Sequence, residues 1–330
     1  MSKSGTAAGR RKLGRWGRLA SGVAASALAF AGLAAPSLAA TTPPDMSANY
    51  SFFTLNNNRD PTFNQLLGIN NSGVIAGYFG SGMKGHPNKG YVLSQPYGQG
   101  NYRNENFPGS AQTQVTGING MGDTVGFWVS GAGANHGFVE MKGHKAKTVD
   151  FPTNNNAKPM FDQLLGINNA DIAVGFYNDA KGNPHGFTYD VANRHFKSVN
   201  VAGDTGVTAT AINNQDDIAG FATNAAGTTE AFLRRSDGKV FHLNVPGATT
   251  TQAFGVNDGD EVVGAYTVGT GSSAMTFGFI WAPGFGFATV NDPNGVGSTT
   301  INGVNDRGTI VGFYTDSKGN TDGMLARVQP

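Results

Sequence analysis

The chain of 330 residues contains no cysteine, and this absence excludes two kinds of chemistry. Neither disulfide bonds nor thiolate metal sites can form, so a protein that works outside the cell would depend on packing for its stability. Charged residues are also scarce, at 14% of the chain. Together with 49 glycines, this scarcity is typical of an all-β chain rich in turns and not of a helical enzyme core.

Motifs that identify common classes of enzyme are absent as well. The sequence has no serine nucleophile elbow, no HExxH pair, no phosphate-binding loop and no Cys/His metal spacing. Whether the protein is an enzyme therefore stays open at the level of sequence motifs.

The first forty residues differ in composition from the rest. They begin with a basic segment free of acids, and residues 19–33 are rich in alanine and apolar. Small residues at 37–40 offer a cleavage site, so residues 1–40 are predicted to be a secretory signal peptide and residues 41–49 a linker. Pro36 and the modest hydrophobicity disfavour the alternative of a membrane anchor. Arg10 and Arg11 resemble a twin-arginine signal, but Gly14 departs from it, so the export route stays open.

Removal of residues 1–40 changes the charge of the protein. It removes six of the 23 basic residues and none of the 22 acidic ones, which leaves a net charge of −5. A mildly acidic domain has no basic stripe for a phosphate backbone, so nucleic acid is not expected as a partner. The predicted location is secreted and extracellular, or periplasmic.

One pattern recurs six times along the rest of the chain. An Asn follows Ile or Val and precedes a Gly by seven residues, at steps of 44 to 49 positions. The six pairs are Asn70 and Gly77, Asn119 and Gly126, Asn168 and Gly175, Asn213 and Gly220, Asn257 and Gly264, and Asn305 and Gly312. A period of this length without helical periodicity is typical of a β-propeller.

Each repeat contains four strand signals separated by turn residues. In the third repeat these signals cover residues 163–167, 172–177, 186–189 and 196–200. Four strands make one propeller blade, so residues 50–330 are predicted to form an all-β, six-bladed β-propeller of four-stranded antiparallel blades. Paired aromatic residues such as Phe176 and Tyr177 end the second strand and predict that both faces of each sheet are buried.

The two ends of the repeat region predict how the ring closes. The sixth repeat ends with a third strand near residues 323–327, and residues 50–56 resemble the fourth strands of other repeats. We expect the N-terminal strand to complete the sixth blade, which removes an open sheet edge. A monomer is expected.

Short motifs at the third strand resemble a known family, the bacterial extracellular repeat proteins called HAF after a His-Ala-Phe motif. They are the segments 136–138 (HGF), 185–187 (HGF) and 230–232 (EAF). The resemblance covers about residues 50–330 and implies secretion and propeller-like repeats. It departs at Lys89, Phe277 and Asp322, which take the His position, and it implies no catalytic residues.

Candidate binding residues lie where the repeats differ. The loops between second and third strands and those between blades vary most, and both emerge on one face, which we expect to bind the ligand. Two sets of polar residues belong to that face. The first set precedes the repeat Asn by five residues and forms either a polar ring or a set of structural hydrogen bonds: Gln65, Gln114, Gln163, Thr208, Gln252 and Thr300.

The second set precedes the aromatic residue of the third strand. His136 and His185 belong to it and are either catalytic bases or blade-locking hydrogen bonders. An enzyme would use one of them together with other polar residues of this face, namely Lys89, Glu230, Arg59 or Asp60.

Turns rich in Asn and Asp suggest calcium, most strongly at residues 257–261 and 213–217. The turn of the first repeat has no carboxylate, so no cofactor is expected and calcium is the alternative.

The function predicted is binding of an extracellular ligand, a polysaccharide or another envelope component. The alternatives are a glycan-acting lyase or hydrolase in the axial funnel, and a protein-interaction platform.

Overall fold

The computed structural model describes residues 42–153 and 156–330, so the expected signal peptide, residues 1–40, lies outside the described residues. The described residues form six sheets, each of four antiparallel strands. The predicted six-bladed propeller is therefore confirmed. We number the blades from 1 to 6 by the order of their first strands.

The strands of the first three blades follow the sequence order within each sheet. Blade 1 comprises β2 (Asn64–Ile69), β3 (Ile75–Phe79), β4 (Lys89–Leu93) and β5 (Tyr102–Asn104). Blade 2 comprises β6 (Gln112–Ile118), β7 (Thr124–Val129), β8 (Asn135–Glu140) and β9 (Lys147–Val149). Blade 3 comprises β10 (Asp162–Ile167), β11 (Ile172–Asn178), β12 (Pro184–Asp190) and β13 (His195–Ser198).

The remaining blades differ only in the last strand of the sixth. Blade 4 comprises β14 (Thr205–Ile212), β15 (Ile218–Thr223), β16 (Thr229–Arg234) and β17 (Val240–Leu243). Blade 5 comprises β18 (Thr250–Val256), β19 (Val262–Val268), β20 (Met275–Ala282) and β21 (Gly286–Thr289). Blade 6 comprises β22 (Thr299–Val304), β23 (Ile310–Thr315), β24 (Thr321–Val328) and β1 (Tyr50–Thr54).

Helical structure in the described residues is limited to three short 3-10 turns, Ser47–Asn49, Gln99–Asn101 and Gly271–Ser273. None of the helical segments in the described residues has the length and apolarity needed to cross a bilayer.

Closure of the ring follows the predicted route. Strand β1 pairs antiparallel with β24, with Tyr50 opposite Val328 and Thr54 opposite Met324. The Leu55 N–H extends the pairing by donating to the Gly323 carbonyl at 2.8 Å. The N-terminal strand therefore completes blade 6, and blade 6 in turn packs against the first strand of blade 1.

The segment expected to be a linker contacts the ring. The Met46 N–H donates to the Thr289 carbonyl, and the Thr289 N–H donates to the Pro44 carbonyl, both at 2.9 Å. Residues 44–46 therefore lie along the outer strand of blade 5, next to the blade that β1 completes.

The glycine of each second strand is required by close approach to the first strand. A Cβ atom at Gly126 would lie 2.0 Å from the carbonyl oxygen of Gln114, and one at Gly312 would lie 1.9 Å from that of Thr300. Only glycine fits such a contact with a neighbouring backbone.

The aromatic pairs at the ends of the second strands are buried to different extents. Tyr78 and Phe79 of blade 1 are both buried, as predicted. Phe176 and Tyr177 of blade 3 are only half-buried, so the prediction is wrong there. These rings lie where the sheet ends and the loops begin, and neighbouring blades cover that end incompletely.

Candidate functional site

The ring has two faces that differ in their loops. We call one the turn face, which carries the turns between first and second strands, such as residues 70–74, and between third and fourth strands. We call the other the connector face, which carries the loops between second and third strands and the connectors between blades, such as residues 105–111. An antiparallel blade places these two kinds of connection at opposite ends of its strands.

The turn face has an axial depression of about 100 Å³, open to solvent and lined by the six repeat Asn residues and their neighbours. Each repeat Asn closes its own turn: the Oδ1 of Asn168 accepts from the N–H groups of Ala170 and Ile172, both at 3.0 Å. Each also reaches the next blade, since the Nδ2 of Asn168 donates to the Asn213 carbonyl at 3.1 Å.

These contacts between blades form a complete ring around the axis. The six Nδ2-to-carbonyl bonds measure 2.9 to 3.2 Å and run from Asn70 to Asn119, Asn119 to Asn168, Asn168 to Asn213, Asn213 to Asn257, Asn257 to Asn305, and Asn305 to Asn70. Each repeat Asn thus fixes its own turn and also joins two blades, and the sequence did not reveal this second role.

A second chain of hydrogen bonds lies beside the Asn ring. In five of the six blades, the side chain of the residue after the repeat Asn accepts a main-chain N–H from the preceding blade, as when Asp258 Oδ1 accepts from Asn214 at 2.9 Å. The chain is open between blades 1 and 2, because Gly120 has no side chain to accept from Asn71. Most polar groups of the depression are therefore engaged in joining blades, which leaves few to bind a ligand.

The connector face carries four histidines, each paired with a carboxylate. The pairs are His86 Nδ1 with Asp60 Oδ2 at 2.7 Å, His136 Nδ1 with Asp150 Oδ2 at 2.8 Å, His185 Nε2 with Asp179 Oδ2 at 3.2 Å, and His242 Nδ1 with Glu230 Oε1 at 3.0 Å. The other two histidines, His144 and His195, lie on the turn face and are exposed. The paired histidines therefore distinguish one face from the other.

Two of these histidines end a stack of three rings. In blade 2, Phe107 stacks on Trp128 at 4.6 Å between ring centroids, and Trp128 stacks on His136 at 4.4 Å. Blade 3 repeats the arrangement through a connector phenylalanine, a second-strand aromatic residue and a third-strand histidine, with distances of 4.5 and 5.1 Å: Phe151, Tyr177 and His185. Adjacent blades thus present two equivalent ring stacks.

His136 and His185 differ in exposure. The side chain of His136 is 20% exposed and that of His185 is 47% exposed. Both lie on the third strand of their sheets, two strands away from the first strands that surround the axis. Hydrogen bonds from the main chain and side chain of Asn183 hold the pKa of Asp179 well below its usual range, so this carboxylate remains charged beside His185.

The boundary between blades 2 and 3 has carboxylates where the other blades have neutral residues. Asp150 directly follows the fourth strand, at a position that is Asn in the other five blades: Asn56, Asn106, Asn200, Asn244 and Asn291. Asp162 begins the first strand and accepts the Phe151 N–H at 2.8 Å, a role taken by Thr113 in blade 2 and by Asn64 in blade 1.

The buried Asp162 has a shifted ionisation. Burial, together with the charge of Asp150, raises the pKa of Asp162 to about 7, although the Phe151 N–H and His136 act in the opposite direction. Its residue surface is fully buried, and its Oδ2 accepts from the Asn156 Nδ2 at 3.1 Å. No solvent-borne ligand can reach this carboxyl group directly.

The Gln set lies at the start of the first strands, near the connector face, and its members are buried. Two of them reach a side chain of the preceding blade: Gln114 Nε2 donates to Asn88 Oδ1 at 3.0 Å, and Gln163 Nε2 donates to Asn135 Oδ1 at 3.4 Å. Gln65 accepts from the Tyr78 hydroxyl at 2.8 Å within its own blade. Gln252 is buried in the equivalent place.

The other predicted site residues are dispersed around the connector face. Lys89 begins the third strand of blade 1. Arg59 is exposed on the connector that leads into blade 1. Asp60 on the same connector is buried; burial would raise its pKa, but hydrogen bonds from Thr62 and His86 outweigh burial and lower it. Glu230 lies in blade 4, so the structure does not bring these residues to one centre.

The turns considered for calcium use their carboxylates internally. Glu261 Oε2 accepts from the Asn257 Nδ2 at 3.0 Å, and Asp217 Oδ1 accepts from the Ser236 N–H at 2.7 Å. Asp260 pairs with Arg235. These contacts leave the two turns few free oxygens for a cation.

A small apolar patch lies elsewhere on the connector face, between blades 5 and 6. It consists of Val268, Met275 and Val296, which are 37%, 46% and 62% exposed. Val268 is directly opposite Met275 in the sheet.

Several residues of the connector face were not identified from the sequence. Asp150 was detectable, because alignment of the fourth strands shows a single Asp among five Asn residues. Asp179, His86 and His242 gave no such signal, since Asp179 and His86 lie in loops of variable length and one neighbour of His242, Asp204, lies on a connector.

No protein-family model matches the chain, and no curated protein matches it. The HAF resemblance therefore stays a prediction. Solved structures do match. AofleA from Arthrobotrys oligospora is 11% identical over 85% of this chain and 93% of its own, with a TM-score of 0.52. At this identity the likeness concerns the fold alone.

Two other solved structures are similar at lower scores. TolB from Acinetobacter baumannii is 11% identical, with a TM-score of 0.48. The match covers 78% of this chain but only 64% of the TolB chain. The N11 neuraminidase-like protein of A/flat-faced bat/Peru/033/2010 (H18N11) is 11% identical with a TM-score of 0.46, over 86% of this chain and 96% of its own.

Proposed function

We propose that the protein is a secreted propeller whose connector face binds a neutral extracellular polysaccharide or a similar envelope component. The proposal rests on one observation, the two equivalent ring stacks of blades 2 and 3 that end in His136 and His185. Shallow sites repeated in neighbouring blades suit a chain of repeating sugar units, because successive units can meet equivalent ring stacks.

Each stack offers the two kinds of contact that sugars use. A flat ring packs against the apolar face of a pyranose, and polar groups at the ring edge bind its hydroxyls. The carboxylates of Asp150 and Asp179 hold the two histidine rings by hydrogen bonds of 2.8 and 3.2 Å. A ring fixed in this way loses little conformational entropy on binding.

The charge of the connector face favours neutral ligands. Carboxylates lie beside all four paired histidines, whereas the cations there are few and dispersed. Acidic polysaccharides would be repelled, since like charges at short range raise the free energy of the complex.

Binding to a panel of polysaccharides tests the proposal. We expect the purified protein to bind at least one of laminarin, galactomannan, xyloglucan and dextran, and to bind alginate and dextran sulfate less tightly. The variants His136→Ala and His185→Ala should each weaken that binding about tenfold, which corresponds to about 1.4 kcal/mol. Matched controls are His144→Ala and His195→Ala, which remove the turn-face histidines of the same blades.

Either of two results would oppose the proposal. One is failure to bind any neutral polysaccharide of the panel at millimolar sugar concentration. The other is equal binding by the connector-face and turn-face variants, which would place the ligand elsewhere. Circular dichroism melting curves verify that each variant is folded.

A second candidate function is a glycan-acting lyase or hydrolase centred on His136 and Asp150. The observation that favours it is the asymmetry at the boundary of blades 2 and 3, where Asp150 and Asp162 replace neutral residues of the other blades. A partly exposed histidine held by a carboxylate is suited to general base catalysis. The buried Asp162 would act only by its charge on this pair, because its oxygens bond Phe151 and Asn156.

Turnover separates the two candidates. The enzyme requires release of reducing ends or unsaturated products from a polysaccharide, with loss of at least 100-fold in rate for His136→Ala and for Asp150→Asn. His185→Ala should then retain the rate, since His185 belongs to another blade. Binding without any product supports the binding function instead.

A further inference from the structure

We propose that Asp204, Glu230 and His242 form a binding site for one transition-metal ion, Zn²⁺ or Mn²⁺, on the connector face of blade 4. The three side chains each offer one ligand atom, and these atoms lie within 4.8 Å of one another. This site is separate from the ring stacks of blades 2 and 3, and the inference does not depend on the proposed polysaccharide binding.

The positions of the three residues follow from the fold. Asp204 lies on the connector that leads into blade 4, immediately before β14. Glu230 is the second residue of the third strand β16, and His242 is the third residue of the fourth strand β17. A connector and two neighbouring strands therefore converge at the outer part of one blade.

The ligand atoms are spaced as in a first coordination sphere. His242 Nδ1 lies 3.0 Å from Glu230 Oε1 and 3.7 Å from Asp204 Oδ2. Ligands bound about 2.1 Å from a tetrahedral ion are about 3.4 Å apart. Small side-chain movements would let all three atoms contact one ion.

A buried oxygen without a hydrogen bond points to a missing ligand. The side chain of Asp204 is only 5% exposed, and its Oδ2 accepts no hydrogen bond although it is buried. A buried carboxylate oxygen normally has a donor, because desolvation without a partner costs free energy. Here Oδ2 faces Glu230 and His242, and a cation between them would supply the missing interaction.

Hydrogen bonds from two asparagine side chains hold the Glu230 carboxylate in place. Its Oε2 accepts from the Nδ2 of Asn244 and from the Nδ2 of Asn224, the latter at 3.4 Å. These bonds occupy one oxygen and leave Oε1 turned toward His242. Metal-binding carboxylates are oriented in this way by neighbouring donors.

The donor set indicates the class of metal. Calcium and magnesium prefer oxygen ligands, whereas imidazole with carboxylates suits zinc, manganese and related divalent ions. Two carboxylates and a neutral imidazole balance the charge of a divalent cation. The side chain of His242 is 43% exposed, so water has access to a fourth coordination position.

Zinc titration of the chelator-treated protein, prepared without a histidine tag, tests the site. We expect one Zn²⁺ per chain with a micromolar dissociation constant by isothermal titration calorimetry. Asp204→Asn and His242→Ala should each weaken binding at least tenfold. The matched control is His185→Ala, which removes a histidine paired with a single carboxylate and should leave zinc affinity unchanged.

Cobalt substitution provides a spectroscopic readout. Co²⁺ should give visible d–d absorption bands that are lost in Asp204→Asn and kept in His185→Ala. Absence of zinc binding at 100 µM metal, or unchanged affinity in both Asp204→Asn and His242→Ala, would overturn the proposal. Because His242 is exposed, His242→Ala should fold even if Asp204→Asn does not.

Discussion

At the scale of single residues, the repeat Asn combines two tasks that its side chain alone can perform. Its Oδ1 accepts two N–H groups of its own turn, while its Nδ2 donates to the next blade. Asp would lack the donor, and Ser or Thr would lack the reach. The recurrence of Asn in all six copies therefore has a physical cause that concerns stability.

Substitution of the Asn that joins blades 6 and 1 tests this dual role. Asn305→Ala removes the acceptor for Arg307 and Thr309 and the donor to the Asn70 carbonyl. We expect a loss of about 2–3 kcal/mol in the free energy of unfolding, measured by urea denaturation. Asn193→Ala, at an exposed turn with only local bonds to Asp190, should change it by less than about 0.5 kcal/mol. Equal effects of the two variants would contradict the role in joining blades.

Asp162 predicts a pH dependence of stability. Its pKa of about 7 in the folded protein lies above the ordinary value of 3.8, so the folded state binds the proton more tightly. The free energy of unfolding should therefore decrease as pH rises from about 4 to 7, by an amount on the order of 1–3 kcal/mol from this group.

The variant Asp162→Asn should remove that contribution. An amide can still accept the Phe151 N–H, as Asn64 accepts from Asn57 in blade 1. Its NH₂ group can donate to the buried Asn156 Oδ1, which has no hydrogen bond. We expect the variant to gain stability relative to the parent at pH 8 but not at pH 4. An identical difference at both pH values would contradict the raised pKa.

At the scale of elements, the residues of the second strand were the main basis for predicting the blade. Its Gly is dictated by contact with the first strand, and its terminal aromatic residues pack in clusters that span two blades, as Phe79 does with Val311 and Leu325. The sequence therefore predicted the strand order and the number of blades. It predicted the burial of aromatic residues less well, because Phe176 and Tyr177 extend to the connector face.

Alanine at the second-strand glycine should be poorly tolerated. Gly126→Ala would place Cβ 2.0 Å from the Gln114 carbonyl oxygen, which belongs to the backbone and cannot move aside. We expect a cost of about 3 kcal/mol or more, or failure to fold. Gly131→Ala is the matched control, since no atom lies within 4 Å of its Cβ position. Comparable stability of both variants by thermal melting would contradict the packing of the first two strands.

The candidate site could be predicted only in part. The sequence identified the variable face and the residues His136 and His185, because repeats can be compared position by position. It did not identify Asp179, Asp204 or His242 as partners. Their contacts depend on loops and connectors whose lengths vary, so no fixed spacing in the sequence reports them.

At the scale of the whole molecule, two sets of contacts close the ring at blades 6 and 1. The outer strand β1 completes blade 6, and the Asn305 side chain joins blade 6 to blade 1 at the axis. The first was predictable from the missing fourth strand. The second depends on the geometry of the six turns, which only the assembled ring shows.

Removal of the closing strand should destabilise the entire ring. A chain that begins at residue 57 loses the five residue pairs between β1 and β24 and the two side-chain bonds of Asn56. We expect the free energy of unfolding to fall by on the order of 5 kcal/mol. A chain that begins at residue 42 is the control. An equal melting temperature for the two chains would contradict closure by β1.

The central claim is that the connector face binds the ligand, and histidine NMR tests it most directly. The Cε1–H resonances of the six histidines, assigned with single alanine variants, are followed during titration with the tightest-binding neutral polysaccharide or its oligosaccharide. We predict that the resonances of His136 and His185 shift while those of His144 and His195 stay in place. Shifts confined to His144 and His195 would contradict the claim.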